Sequence, residues 1–169
     1  MRQSVYLATS DILIQWGGST GYVAIDEYPN PDDANYNQDN GGSQLKDIFG
    51  FTGVVPNGAV ITKITLKFRA QRGTYGRIRA AIRVGTTIYE SANIDPGGTW
   101  VNLSYDWAAN PVTSSPWKWY ELVGLGPEAN RLTGFGYGRN NTVSLPRAVL
   151  CSQCYLVVEY KNLSQSWIM

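Results

Sequence analysis

The chain contains no histidine, two cysteines in 169 residues, and little charge, with Asp, Glu, Lys and Arg together making 16%. Without imidazole the commonest general acid and base at neutral pH is missing, and no Ser-x-x-Lys or Gly-x-Ser-x-Gly element supplies an activated nucleophile. A glycosidase-type carboxylate pair would be the remaining catalytic route. Asp26 and Glu27 point apart as neighbours on an extended chain, and Asp106 and Glu121 fit solvated or turn roles. The chain is therefore expected to be non-enzymatic. Cys151 and Cys154 sit three apart in a strand-like run. In a regular strand their side chains would face opposite sides, about 10 Å apart along the chain, which argues against a disulfide. With no histidine and no second cysteine pair, a zinc site is also disfavoured. No run reaches the roughly 18 apolar residues of a membrane span, and the N-terminus lacks a signal-peptide pattern, so use without export is expected.

What is abundant points to β-structure. Eighteen glycines, eight prolines and 12% aromatic residues describe turns and strands better than helices. Val60 to Ala70 alternates strictly, with Ile64, Leu66, Phe68 and Ala70 on one face and Lys63, Thr65, Lys67 and Arg69 on the other. Arg77 to Val84 repeats the pattern, with Ile78, Ala80, Ile82 and Val84 opposite Arg77, Arg79 and Arg83. The two runs, separated by a turn, read as a hairpin with a basic outer face. Further strands are expected over Ser4 to Trp16, Tyr22 to Ile25, Thr86 to Ala92, Trp100 to Trp107, Thr133 to Tyr137 with glycines for bends, and Ala148 to Tyr160. Gln44 to Thr52 fits a helical turn or a strand, and strand is the preferred reading. Tyr105 to Leu122 holds a corner: Pro111 and Pro116 interrupt two aromatic flanks, and the residues after Pro116 are expected to be extended. Length and spacing predict a single all-β antiparallel sandwich over residues 1–160, followed by a short tail, 161–169.

Charge is unevenly spread. From Lys63 to Arg83 there are seven basic residues and no acid, whereas Asp26 to Asp39 holds five acids and no base. The acidic stretch runs through a long loop, expected to lie on the surface, with Asp26, Glu27, Asp32, Asp33 and Asp39 as oxygen donors for calcium or as Asx-turn formers. Their spacing does not match an EF-hand. No other cofactor is suggested. The basic residues Lys63, Lys67, Arg69, Arg77, Arg79 and Arg83 form a candidate docking surface; aromatics do not interleave with them, which weighs against nucleic acid as the partner. Six tryptophans and 11 tyrosines also permit glycan contacts, for which Trp16, Tyr28 and Tyr36 stand in or near loops.

Four pieces taken together carry a resemblance: Asp11 with Trp16; Ile25-Asp26-Glu27 before the Asp-rich loop; Pro56-Asn57-Gly58-Ala59 before the alternating strand; and Asn110 to Trp117 before Leu122 and the closing Tyr-Leu-Val-Val-Glu-Tyr strand. They resemble a jelly-roll β-sandwich family found among structural proteins of tailed bacteriophages and similar in shape to carbohydrate-binding modules. The chain departs from the usual pattern in the Ser-Pro before Trp117 and in its Cys-Ser-Gln-Cys step. The resemblance implies a virion structural protein of the capsid decoration or cement type, assembled in the host cytoplasm. Its partners would be the major capsid protein or other virion subunits, and it would form a homo-oligomer, with a trimer as the expected state. The loop and the apolar tail end Trp167, Ile168 and Met169 would reach across shell seams. The alternative it implies is a carbohydrate-binding or host-adhesion module on the phage head, neck or tail.

Overall fold

In the computed structural model, residues 1–16, 20–39, 44–73, 76–139 and 149–162 are described. The strands in chain order are β1 (Arg2–Ile14), β2 (Asn37–Gln38), β3 (Lys46–Thr52), β4 (Val60–Arg72), β5 (Ile78–Val84), β6 (Thr87–Glu90), β7 (Val101–Trp107), β8 (Ala109–Asn110), β9 (Ser115–Pro116), β10 (Leu132–Arg139) and β11 (Val149–Lys161). All pairings are antiparallel. The main sheet runs β6-β5-β10-β3-β1-β11-β4-β7, with β2 joined to β11. It is one sheet curled into a sandwich, and β1 forms the fold line. Arg2 to Leu7 pair with β11, while Leu7 to Ile14 pair with β3. Two register shifts, at Ala8/Ser10 and Asp11/Leu13, bend the strand as bulges do. Between them Ile12 is turned to the outer side, against Gly50 and Gly134: Tyr6 and Ala8 are buried, whereas Ile12 is exposed, as is Ile14 at the strand end.

The alternation in β4, β5 and β11 decides which face goes inward. Ile64, Leu66, Phe68 and Ala70 from β4 meet Ile78, Ala80, Ile82 and Val84 from β5, with Phe49, Phe135, Tyr137, Leu156 and Val158, in one continuous core. The connections repeatedly cross between halves, β3 to β4, β4 to β5, β6 to β7 and β10 to β11, in the jelly-roll manner. The expected all-β antiparallel sandwich is thus observed.

Several local expectations are corrected. β4 and β5 do not form a hairpin, because β4 pairs with β11 and β7 while β5 pairs with β10 and β6. Tyr22–Ala24 is a 3-10 turn, not a strand. After Pro116 the chain is extended only as far as Lys118, which bridges Val60; Trp119–Leu122 is a helical turn whose start is closed by Glu121, its Oε2 accepting from the Lys118 backbone N–H at 2.9 Å. Both cysteines face the core, because a register shift at Cys151/Gln153 inserts an extra residue into β11. They are free thiols, and burial pushes both well above the ordinary cysteine range. In β10 a register shift falls at Leu132/Gly134, while the next glycine has another use. A Cβ on Gly136 would lie 2.0 Å from the Asp47 carbonyl oxygen, so glycine permits close approach of β3. No helix among the described residues is long and apolar enough to cross a membrane.

Candidate functional site

Because alternation turns every second side chain outward, the half-sheet β11-β4-β7 presents an outer face built from rows of facing residues. One row joins Tyr155, Lys67 and Ser104; the next joins Gln153, Arg69 and Asn102. Neighbouring strands lie about 4.8 Å apart, so a row of three spans about 10 Å. The segment 26–36 arches over this face, and Pro29 and Pro31 wall a groove of about 280 Å³ whose lining includes Lys67, Asn102, Ser104, Gln153 and Tyr155.

The register shift in β11 makes the wall possible. It places Ser152 and Gln153 consecutively against the loop, where the Ser152 hydroxyl donates to Asp33 Oδ1 at 2.9 Å and the Gln153 amide donates to the Glu27 carbonyl. Arg69 then grips Asp33 through two bonds, Nε to Oδ1 and Nη2 to Oδ2, each 2.7 Å. This fork geometry is the stronger form of ion pair. The Arg69 hydrogen bond holds the Asp33 carboxyl below the usual range despite some desolvation. Arg69 Nη1 also donates to Asn102 Oδ1 at 3.2 Å, which leaves the Asn102 amide nitrogen as the end available to a ligand. Tyr28 stands edge-on to Tyr155, ring centres 4.9 Å apart, and is 44% exposed. Burial raises the Tyr155 phenol above its ordinary range and the neighbouring Tyr28 adds to this, so it stays a neutral donor. Tyr36 pairs with Trp100, just before β7, at 6.0 Å.

The residues singled out from the sequence scatter. Trp16 is not a surface contact: it is 2% exposed, lies 4.6 Å from Tyr137 ring to ring, and its indole N–H donates to the Leu45 carbonyl. Among the acids, Asp33 belongs to Arg69, Glu27 accepts from Asn35 Nδ2 at 2.9 Å, Asp32 accepts from the Ala34 N–H as in an Asx turn, and Asp26 is exposed. Asp39 is fully buried against Arg139 in an ion pair, so the far end of the supposed surface loop is interior. Among the described residues no group of three or more acids, cysteines or histidines is gathered as a metal site.

The basic set divides between opposite outer faces: Lys63, Lys67 and Arg69 on β4, and Arg77, Arg79 and Arg83 at or on β5. Lys63 is paired with Asp106 at 3.0 Å and Glu159 at 3.7 Å, Arg79 with Glu90 at 3.5 Å, and Arg83 donates to Thr133. Trp167, Ile168 and Met169 lie outside the described residues. Asp106 and Glu121 are kept apart in role, the first exposed on β7 with Lys63 and Thr65, the second buried under its helical turn. Sequence reasoning missed Asn102, Ser104, Gln153 and Trp100 as site residues. Tyr155 carried a signal, an aromatic at an outward position of an alternating strand.

A second depression, about 590 Å³, lies on the other side of β1, lined by residues including Thr9, Phe51, Val54, Val123 and Thr133. Among the described residues its lining has hydroxyls but no charged or amide side chain, so it has less with which to orient a polar ligand.

No protein-family model matches the chain, and neither does any curated protein. Among solved structures, a chain described as "CBM4 structure and function" is similar with a TM-score of 0.36 and 14% identity, covering 78% of this chain and 91% of that one. At that TM-score the likeness says nothing of ligand or site.

Proposed function

We propose that this chain is a non-catalytic binding module whose groove on the β11-β4-β7 face takes a glycan. The observation that carries this reading is the Tyr28–Tyr155 aromatic corner beside the outward amides and hydroxyl of Gln153, Asn102 and Ser104. Sugar rings have an apolar face that packs on aromatics and a rim of hydroxyls that needs both donors and acceptors. The groove offers both, held by two walls of unlike origin, a proline loop and the outer face of a sheet. Among the described residues no carboxylate lines it. The virion role implied by the sequence resemblance rests on that resemblance; the glycan reading adds a built surface, and the two are compatible if the module serves adhesion.

The test is a glycan array on the purified chain followed by calorimetry with the best hits. Tyr155→Ala should weaken binding about tenfold, the worth of one lost aromatic contact. Its melting temperature should stay close to the parent's, since Tyr155 lies on the outer face and outside the buried core. An array without any binder, or hits indifferent to Tyr155→Ala, would end this reading.

A further inference from the structure

Three of the cations around the groove can be followed to their partners. Lys63 is held by Asp106 and Glu159, Arg69 by Asp33, and Arg72 by Asp95 at 3.0 Å. Lys67 differs. It is exposed, forms no ion pair within 4 Å among the described residues, and is the charged side chain of the groove lining. It stands in the middle of a row, between Tyr155 and Ser104. Asp106, two residues further along β7 than Ser104, is an acid that feels it. Burial pushes the Asp106 carboxyl up, but hydrogen bonds from Thr65 and Lys63 outweigh this and keep it ionised, with Lys67 adding a weaker pull from a distance. That carboxylate is already matched by Lys63, which leaves the Lys67 ammonium as the unspent charge of the groove.

We infer that the groove's ligand is an acidic glycan of the uronic-acid type, with the ring stacked at Tyr155, its carboxylate on Lys67, and its hydroxyls on Ser104 and Asn102. This rests on the glycan reading above. The choice of carboxylate follows from charge density. A single lysine is a compact point charge suited to one anionic group, whereas a heavily sulfated chain would call for several cations, and the neighbouring ones are engaged. Because the contact is solvent-exposed, its contribution is modest and falls with salt.

The experiment is calorimetric titration with hexamers of galacturonate and of mannuronate, each beside its fully methyl-esterified form, at 50 mM and 500 mM salt. At least one free acid should bind more tightly than its ester, by about fivefold at low salt, with the gap closing at high salt. Lys67→Met should lower affinity for the acid by about the same factor and leave the ester unchanged, with an unaltered melting curve. If esters bind as well as acids, or Lys67→Met leaves the acid affinity untouched, the acidic preference is wrong and the glycan reading stands. If neutral oligosaccharides bind and no uronate does, the outcome is the same. If neither uronates nor neutral oligosaccharides bind, both proposals fall together.

Discussion

The two outer faces of this sandwich are built by the same rule and end differently. On β11-β4-β7 the outward residues are long and polar, a loop arches over them, and a groove remains with one unspent lysine. On β3-β10-β5 the outward positions of β10 are Gly134, Gly136 and Gly138, and their space is already taken. Ile48, fully buried on the side of β3 away from Phe49, lies against Gly134, and the Glu90 carboxylate covers Gly138, where it meets Lys46 at 3.1 Å and Arg79 at 3.5 Å. Alternation supplies an outward face in both cases. A site arises where something walls that face without filling it.

Arg139 ties the two regions together, because it ends β10 and pairs with Asp39 at the far end of the segment that begins as the groove's wall. Both side chains are fully buried. Removing one partner strands a buried charge, so Arg139→Met should cost the most, about 3–5 kcal/mol in chemical denaturation, and the double change with Asp39→Leu should recover part of it. A loss below about 1 kcal/mol would show that the far end of the loop is not held by this pair.

Next in size, Gly136→Ala tests whether the glycine face is filled. The new methyl group would meet backbone, which cannot swing aside, so about 1–3 kcal/mol of stability should be lost on urea unfolding. An unchanged midpoint would mean that β3 and β10 can part without cost.

The smallest effect concerns the groove wall. The Asp33 carboxyl is depressed in the folded protein, so its contribution is complete above its unfolded value near 4 and disappears as pH falls through the lower, folded value. For a half-exposed pair this should amount to about 1 kcal/mol or less. Stability measured from pH 6 down to pH 2 should therefore fall less steeply in Asp33→Asn than in the parent. Parallel curves would remove Arg69–Asp33 as the fastening of the loop.

Much of the architecture could be read in advance from particular residues. The inward sets of β4 and β5 and the Cys154-Leu156-Val158-Tyr160 set of β11 follow from period-two alternation, since burial of one face overrides every weaker preference. The turn between Asn110 and Pro116 follows as well, where Asn110 Oδ1 accepts from the Val112 N–H at 2.9 Å, although the expected loss of regular structure does not: Asn110 and Pro116 belong to the short paired strands β8 and β9. The site was much less legible. Tyr28 and Tyr155 stand 127 residues apart in the chain, and nothing local announces that they meet. Trp16 misled because its flanking glycines look like a surface turn while its ring finds Tyr137.

The amino-acid sequence by itself determined which face of β4, of β5 and of the later half of β11 is buried, most of the places where the chain must turn, and that hard catalytic groups are scarce, because these depend on neighbours one to four residues away. Only the tertiary structure decided that β4 pairs with β11 and β7 and not with β5, that a single extra residue turns Cys151 inward and brings Ser152 and Gln153 to the loop, and that Lys67 keeps its charge unspent. Alternation specifies a side but not a partner. Pairing, bulges and ion pairs are settled by the packing of distant segments, and the groove is made of those.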